Sequence, residues 1–188
     1  LYGPRLEQLA GKHAYELSAH GTIFNVLKRR AAELQFTLTC SEYVDGVASG
    51  TIPNGVRCEN VESLSFADDT FDLITSTDVF EHVENDATGF REIARVLKPG
   101  GRFVFTVPYD PSQTTRVRAV RDGGTIKHLF PPEYHGDPFR GPVGVFTWRN
   151  YGTDIPTIMS RAGLSATVQS VRVSGAKQHA FVIVATCA

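Results

Sequence analysis

Residues that could carry acid–base chemistry are concentrated between positions 128 and 137 of the 188-residue chain. His128 and His135 lie there together with Glu133 and Asp137. A histidine titrates near neutral pH, so either imidazole could accept the proton of a hydroxyl group while a neighbouring carboxylate orients the ring. The sequence therefore predicts His128, His135 and Asp137 as catalytic residues. The alternative interpretation is that this stretch only folds a loop, with the histidines as packing or capping groups.

These residues belong to a long segment, residues 108–146, that holds six of the ten prolines. Structureless loops beyond about 15 residues are uncommon in compact domains and are usually lids or linkers. This segment is too rich in aromatic and ionisable side chains for a linker, so we expect a lid over an acceptor site. Its cationic run of Arg116, Arg118 and Arg121 is either a solvated face or a holder for a phosphate or carboxylate of the substrate.

The elements that would position these residues follow from hydrophobic periodicity. Strand-like runs lie at 13–17, 36–40, 56–58, 71–76 and 102–107. Helical stripes of apolar residues lie at 24–34, 90–97 and 155–162. Strands that alternate with helices at this spacing predict an α/β fold with a mostly parallel sheet.

The end of the chain departs from this alternation. Two further strand-like runs, 165–173 and 178–186, are separated by only four residues. A parallel crossover needs about a dozen residues, so these runs should pair as an antiparallel hairpin. The sheet should therefore contain one antiparallel strand, and the lid should be an insertion after the fifth strand.

Composition and charge exclude several classes of protein. The chain has 19 Lys and Arg against 20 Asp and Glu, so it has no net field for holding a nucleic acid. Hydrophobic residues at 41% and charged residues at 21% are globular proportions. The longest apolar run, Ala180 to Ala185, is shorter than the roughly 20 residues of a membrane span. We expect one domain over residues 1–188, and three cysteines without a CxxC spacing favour the cytoplasm.

Four phrases of the sequence carry a resemblance to a known family. They are FADDTFDLI at 66–74, VFEHV at 79–83, FREI at 90–93 and RVLKPGG at 95–101. In these phrases the chain resembles the type 11 group of class I S-adenosylmethionine-dependent methyltransferases, the group of the ubiquinone and menaquinone methyltransferases. The wording of residues 64–108 is specific for this group, and weaker similarity to it covers most of the chain.

The resemblance implies a Rossmann-like fold, S-adenosyl-L-methionine as cofactor, and methyl transfer to an oxygen of a small-molecule or glycan acceptor. It also implies an in-line displacement in which positioning does most of the work, with a base needed only for a hydroxyl acceptor. A nicotinamide-dependent oxidoreductase would share the elements but needs G-x-G-x-x-G, which the sequence lacks. A non-catalytic or regulatory methyltransferase-like binding domain is the other alternative.

The resemblance places the cofactor turn at Glu16 to Gly21, where the family has an acidic residue followed by glycines. Ser18 and His20 here replace residues that are usually glycine. Glycine is used in this turn because the backbone approaches the cofactor closely, sometimes with positive φ. Three hypotheses follow. The turn has shifted to use Gly21, or it binds the cofactor less tightly, or the domain is a degenerate copy.

The other cofactor contacts also come from the resemblance, residue by residue. Glu42 matches the acid that binds the ribose, since a carboxylate offers two acceptor oxygens to a vicinal diol. The remaining assignments are Tyr43, Asn60 and Val61 to the adenine, and Ser76 and Thr77 to the methionine part.

The pattern Asp78-x-x-Glu81-His82 is similar to a carboxylate and histidine cluster in quinone O-methyltransferases of the same superfamily. A hard divalent cation could bind oxygen ligands there. The interpretation that we favour is the N-terminal turn of a helix, in which Glu81 interacts with the helix dipole and His82 bonds locally. The lid histidines match no zinc spacing, so the sequence predicts no metal site.

Overall fold

The central element of the protein is a six-stranded sheet. The structure is a computed structural model, and it describes residues 6–136, 143–172 and 179–187. The strands in chain order are β1 (His13–Glu16), β2 (Thr37–Cys40), β3 (Phe71–Thr77), β4 (Leu97–Thr106), β5 (Tyr109–Asp110), β6 (Arg116–Val117), β7 (Ala119–Asp122), β8 (Thr125–His128), β9 (Tyr134–His135), β10 (Val145–Phe146), β11 (Arg149–Gly152), β12 (Leu164–Arg172) and β13 (His179–Cys187). The helices are α1 (Gly21–Leu34), α2 (Asp86–Val96) and α3 (Ile155–Ser160). Short 3-10 turns lie at Glu7–Leu9, Pro53–Gly55 and Phe80–His82.

The strand order in the main sheet is β12-β13-β4-β3-β1-β2. β1 pairs in parallel with β2 and β3, and β3 pairs in parallel with β4. β13 pairs antiparallel with both β4 and β12. The predicted Rossmann-like α/β sheet, mostly parallel with one antiparallel strand from a C-terminal hairpin, is therefore confirmed.

The helices cover both faces of this sheet, because successive side chains of a strand point to opposite faces. One face packs against α2 and α3 in a cluster that includes Tyr15, Ile74, Phe103, Phe90 and Ile155. The other face packs against α1 in a cluster that includes Ala14, Leu73, Val104, Val182 and Leu27. Among the described residues, no helix has the length and apolar character needed to cross a membrane.

The predicted strand at 56–58 is wrong. In the described part of the chain, this segment makes only an isolated parallel bridge between Glu42 and Cys58. Its peptide groups bond back to their own loop, since Gly50 N donates to Cys58 O and Cys58 N donates to Thr51 O, both over 2.8 Å. The connection from β2 to β3 is consequently a loop with one 3-10 turn, without a crossover helix.

The described residues of the predicted lid, 108–136 and 143–146, form short strands. β5, β11 and β6 make a three-stranded sheet, β7 and β8 make a hairpin, and β9 pairs with β10. Gly144 has a φ of +78°, and a Cβ on it would lie 2.1 Å from the carbonyl oxygen of His135. Only glycine lets the chain approach this closely before β10 pairs with the strand that carries His135.

Candidate active site

The carboxyl ends of three parallel strands meet at one edge of the main sheet, where ligands of such folds bind. The predicted cofactor residues at this edge are Glu16, Glu42, Ser76 and Thr77. Glu16 is almost fully buried, and its carboxylate accepts a hydrogen bond from the Thr75 hydroxyl. Burial raises the pKa of Glu16 to about 7, although the hydrogen bonds from Thr75 and from the Ser18 backbone oppose this rise.

The turn after β1 uses its glycine at the start of the helix. Gly21 opens α1 with a φ of +85°, in the left-handed region that favours glycine. His20 precedes it in an extended conformation, with a φ of −145°. Neither Ser18 nor His20 has a positive φ. Of the three hypotheses about this turn, the shift to Gly21 is the one that matches this backbone geometry.

Glu42 is hydrogen-bonded to this turn through one of its two oxygens. Its Oε1 accepts from the Ala19 backbone N at 2.7 Å, from the Ser18 hydroxyl at 3.1 Å and from His20 Nδ1 at 2.6 Å. Oε2 takes part in none of these three bonds. The side chain is 31% exposed, so the turn orients a partly accessible acid whose second oxygen is not used in these three bonds.

A cleft of about 510 Å³ opens beside Glu42, within the loop that connects β2 to β3. Tyr43 and Asn60 are among its lining residues. The Asn60 side-chain oxygen accepts from the Glu62 backbone N at 2.9 Å, so its amide nitrogen is the donor that can face a ligand. The Val61 side chain is packed into the core with 8% exposure, so only its backbone can contact a ligand in the cleft.

Ser76 provides an independent sign that a polar ligand belongs at this edge. Its hydroxyl oxygen is buried and has no hydrogen-bond partner among the described residues. Buried hydroxyls are nearly always paired, so this orphan fits a group supplied by a ligand. The neighbouring Thr77 is exposed at the same strand end.

We expect Glu16 to make the stability of the protein depend on pH. Its pKa rises from the ordinary 4.5 to about 7 on folding, so between these values the folded state keeps a proton that the unfolded state has lost. The Glu16 contribution to the free energy of unfolding is therefore complete below the lower value and lost as the pH rises through the upper one. At about 1.4 kcal/mol per pKa unit, the loss amounts to about 3 kcal/mol.

Urea unfolding of the wild-type chain and of Glu16→Gln, from about pH 4.5 to about pH 8, checks this expectation. Glutamine does not titrate, so the difference in unfolding free energy between the two proteins isolates the Glu16 contribution. That difference should change by about 3 kcal/mol across the range. A difference that stays constant with pH would contradict a raised pKa at Glu16.

A second group of ionisable residues lies after β3, where the lid segment meets the sheet. Glu81 is fully buried, and neither of its carboxylate oxygens has a hydrogen-bond partner in the described ranges. Its Oε1 lies 3.7 Å from His82 Nε2 and 3.5 Å from His135 Nδ1. Burial raises the pKa of Glu81 to about 8, and the nearby charge of Asp78 adds to this rise.

The interpretation of Glu81 and His82 as the N-terminal turn of a helix is wrong. The following helix begins only at Asp86, and it is capped by the Asn85 side chain, which accepts from the Thr88 backbone N at 3.1 Å. His82 also makes a long-range contact, since its Nδ1 lies 2.9 Å from the carbonyl oxygen of Phe146 in β10. Phe80 of the turn stacks on Phe90 of the helix with 4.4 Å between ring centroids, so the turn packs against the helix side and also contacts the lid.

His135 is the lid histidine that reaches this group. Its Nε2 lies 3.0 Å from Glu133 Oε1, which is the carboxylate–imidazole pairing considered from the sequence. Glu133 also accepts from Asn150 Nδ2 at 3.1 Å and pairs with Arg118 at 3.0 Å. Burial alone would raise the pKa of Glu133, but the hydrogen bonds from His135 and Asn150 and the Arg118 charge lower it overall. An ionised carboxylate therefore orients the His135 ring.

The other two predicted catalytic residues are not brought into this group. His128 ends β8 on the exposed side, and its ring lies edge-on to that of Phe146 with 5.4 Å between centroids. Asp137 lies outside the described residues.

The arginines of the lid are engaged by groups of the protein itself. Arg118 binds Glu133, and Arg121 donates twice to Glu84 over 2.5 Å. The guanidinium of Arg116 lies 5.1 Å from the centre of the Phe130 ring. An anionic substrate would have to compete with these contacts.

Arg149 is the residue of this site that the sequence analysis missed. It is 6% exposed, and it donates to the carbonyl oxygens of Val83 at 2.5 Å and Glu84 at 2.6 Å. It also pairs with Asp86 at 3.3 Å. These bonds fix β11 to the turn that carries Glu81. The only signal in the sequence is an arginine inside an aromatic stretch, which does not reveal partners more than 60 residues away.

Comparison with known proteins adds sequence evidence to this geometry. The family model described as a methyltransferase domain, of type 11, matches residues 17–105. Over 127 residues the chain is 28% identical to protein YafE of Escherichia coli, a match that covers 64% of this chain and 53% of that protein. Over 56 residues it is 45% identical to the demethylmenaquinone methyltransferase of Corynebacterium kroppenstedtii, covering 28% of this chain and 24% of the enzyme.

A solved structure extends the comparison beyond the matched segment. An S-adenosylmethionine-dependent methyltransferase from Mesorhizobium loti has the same fold, with 18% identity, a TM-score of 0.59 and coverage of 98% of this chain and 97% of that one. Residues 17–105 of the chain match the type 11 methyltransferase family, and nearly the whole chain has the fold of an S-adenosylmethionine-dependent methyltransferase. It spans about half the length of YafE and about a quarter of the C. kroppenstedtii enzyme. The family resemblance drawn from the sequence is confirmed.

Proposed function

We propose that this domain binds S-adenosyl-L-methionine at the carboxyl edge of β1, β2 and β3 and transfers its methyl group to a small-molecule acceptor beneath the lid. The observation that carries the proposal is the meeting of Glu42, the orphan Ser76 hydroxyl and the cleft beside Tyr43 at one edge. Together they offer acceptors for a ribose diol, a polar contact for an amino acid group and a slot for a base.

Each part of the cofactor has residues of suitable chemistry. Oε2 of Glu42 accepts from the ribose hydroxyls while the turn holds Oε1. The cleft lined by Tyr43 and Asn60 takes the adenine. The Ser76 hydroxyl and the backbone N–H groups at the start of α1 bind the methionine part. The cofactor, when bound, supplies a methyl group on a sulfonium, so the protein's task is to position the acceptor in line.

Transfer to a hydroxyl requires removal of its proton, and among the predicted catalytic residues we assign this step to His135. Glu133 holds the ring through Nε2, which leaves Nδ1 directed into the site near Glu81. A base held by hydrogen bonds in this way needs little reorganisation. His128 and Asp137 stay predictions for the same step.

We propose an uncharged, hydroxyl-bearing acceptor, a small molecule or a glycan. The Arg118 and Arg121 side chains are already paired with Glu133 and Glu84, so little cationic character is left for an anionic acceptor. The name of the C. kroppenstedtii relative, a demethylmenaquinone methyltransferase, also indicates a small-molecule acceptor for that protein. The near-zero net charge gives no support to a nucleic-acid acceptor. A cytoplasmic location stays a prediction, supported by three free cysteines.

The second candidate function is a non-catalytic binding domain. It is favoured by the same turn, since Ser18 and His20 replace the usual glycines and both bond to Glu42, the acid assigned to the ribose. Both functions allow the cofactor to bind. Only the enzyme transfers a methyl group, so an assay of methyl transfer distinguishes the two.

We expect S-adenosylhomocysteine to stabilise the protein in a thermal-shift measurement. A ligand at 100 times its dissociation constant adds about 2.7 kcal/mol to the unfolding free energy. For a chain of this size the Tm should rise by about 5 to 10 °C. Calorimetric titration supplies the dissociation constant that sets the concentration.

NADH at the same concentration is the matched control, since an oxidoreductase would respond to it instead. A rise with NADH, or no rise with S-adenosylhomocysteine, would refute the proposed cofactor. Binding without any methyl transfer to hydroxylated acceptors would leave the non-catalytic domain as the function.

A further inference from the structure

The carboxylate of Glu81 is a buried charge-bearing group without the partners that such a group requires. Its side chain is fully buried, and neither Oε1 nor Oε2 has a hydrogen-bond partner among the described residues. A carboxylate loses its hydration on burial, so buried examples are paired, coordinate metals or take up a proton, and a protonated carboxyl still requires a partner for its O–H group. The ring nitrogens of His82 and His135 lie 3.7 and 3.5 Å from Oε1, beyond the usual length of a hydrogen bond.

The hydrogen bonds of the two imidazoles determine which nitrogen of each ring faces Glu81. The Phe146 carbonyl can only accept, so His82 Nδ1 carries the hydrogen of that 2.9 Å bond. The ionised Glu133 likewise accepts from His135 Nε2 over 3.0 Å. In the neutral rings, His82 Nε2 and His135 Nδ1 therefore each direct a lone pair toward the Glu81 carboxylate.

We propose that Glu81, His82 and His135 bind a divalent transition-metal ion. Their ligand atoms all lie within 4.8 Å of one another. Around a tetrahedral ion with bonds of about 2.1 Å, neighbouring ligand atoms lie about 3.4 Å apart. The two distances from Glu81 Oε1 are close to that value, and the two ring nitrogens lie within 4.8 Å of each other, so the side chains would draw together to close around an ion.

The donor set selects the kind of ion. Magnesium and calcium take oxygen ligands, whereas two imidazole nitrogens suit zinc, iron, cobalt or nickel. Asp78, the third member of the sequence pattern, is not in this cluster of ligand atoms, and its Oδ1 accepts from the Thr106 hydroxyl at 3.0 Å. The third ligand comes from the lid instead. Three protein ligands leave at least one coordination position for an outside oxygen.

The groups around the two histidines match those of known metal-binding histidines. Such a histidine almost always donates its other ring N–H to a carbonyl or a carboxylate, which fixes the tautomer and the ring orientation. His82 does so to the Phe146 carbonyl and His135 to Glu133. Glu133 is held in turn by Arg118 and Asn150. Each of the two histidine ligands is therefore oriented by a hydrogen-bond partner behind it, although the sequence predicted no metal site.

The ion would join the lid to the body of the protein, since His135 lies in β9 and the other two ligands follow β3. The assignment rests on these side chains alone. Its role in the reaction rests on the proposed function. An ion that binds the acceptor hydroxyl lowers its pKa, and His135 then acts as a ligand and not as the base.

Equilibrium dialysis of the whole chain against Zn²⁺, followed by elemental analysis, tests the site. We expect one zinc ion per chain, and a Co²⁺ titration should give the visible bands of a four- or five-coordinate site. Glu81→Gln, His82→Gln and His135→Ala should each lower the zinc affinity at least about 100-fold, since even the loss of an outer partner costs about 10- to 100-fold. Glu133→Gln, which removes such a partner, should cost about 10- to 100-fold.

His128→Ala is the matched control, because it removes an exposed histidine of the same lid. Its zinc affinity should equal that of the wild type. The site is refuted if the wild type retains no ion, or if the ligand variants bind zinc as well as His128→Ala does. Circular dichroism of Glu81→Gln, a substitution of equal size, separates loss of the ligand from loss of the fold. These readouts use no S-adenosylmethionine, so failure of the proposed cofactor leaves them interpretable.

Discussion

Glu42→Ala is expected to lower the affinity for S-adenosylhomocysteine by about 10²- to 10⁴-fold. A hydrogen bond to a charged group contributes about 1.5 to 3 kcal/mol, and a carboxylate on a vicinal diol makes two of them. The variant also releases the bonds from Ala19 N, the Ser18 hydroxyl and His20 Nδ1, so the turn loses the group that orients it. Isothermal titration calorimetry of the wild type and the variant measures the change.

Glu33→Ala is the matched control for this substitution. Glu33 is a carboxylate on the same helix that begins at the turn, and 12 residues of helix place it about 18 Å from Gly21. It should bind S-adenosylhomocysteine as the wild type does. Because Glu42 is partly exposed, we expect both variants to unfold cooperatively. An unchanged affinity in Glu42→Ala would overturn the assignment of the ribose site.

His135→Ala is expected to lower the methyl-transfer rate by about 10²- to 10⁴-fold with the affinity for S-adenosylhomocysteine nearly unchanged. The residue lies on the lid side, beside Glu81 and Glu133, whereas Glu42 and Tyr43, assigned to the ribose and the adenine, follow β2. The assay follows transfer of a labelled methyl group to whichever of catechol, hydroquinone and a simple glycoside gives the highest wild-type rate. The expected loss is the same whether the imidazole acts as a base or as a metal ligand.

His128→Ala separates the two lid histidines. Its ring is exposed and lies edge-on to that of Phe146, so its removal should change the rate much less than removal of His135. Addition of a chelator to the wild type distinguishes the two roles of His135, because only a ligand role makes the rate depend on metal. Full activity in His135→Ala would show that positioning alone drives the transfer.

The sheet could be predicted from the sequence because its signals are local. Neighbouring side chains of a strand point to opposite faces of the sheet, as Leu73 and Ile74 do. The last two strand-like runs are separated by only four residues, which is enough for a hairpin and too few for a parallel crossover. The segment at 56–58 has the same β-rich composition and yet bonds to its own loop at Gly50 and Thr51. Composition predicts that a segment is extended, whereas its partner depends on the three-dimensional packing of the loop around it.

The placement of the predicted cofactor residues at one edge of the sheet could be anticipated for a different reason, which is the order of the strands. Once parallel strands are adjacent, their carboxyl ends meet, and residues at those ends such as Glu16 and Ser76 come together without further information. The cluster of Glu81 and His135 was not predictable in this way. The two residues are 54 positions apart, in a core turn and in a lid strand, and their contact depends on how the lid docks. No local periodicity encodes that docking.

Arg149 has a consequence for how the acceptor range of this protein could change. Its guanidinium holds the carbonyl oxygens of Val83 and Glu84, on the turn that also carries Glu81. Under the proposed function, substitutions at the hairpin of β7 and β8 would alter the lid with little effect on stability, because the tip of this hairpin is exposed. Substitutions near β11 would loosen the fold together with the site. We therefore expect new acceptor preferences to arise first through substitutions at the hairpin tip, while Arg149 is retained because it holds β11 to the turn that carries Glu81.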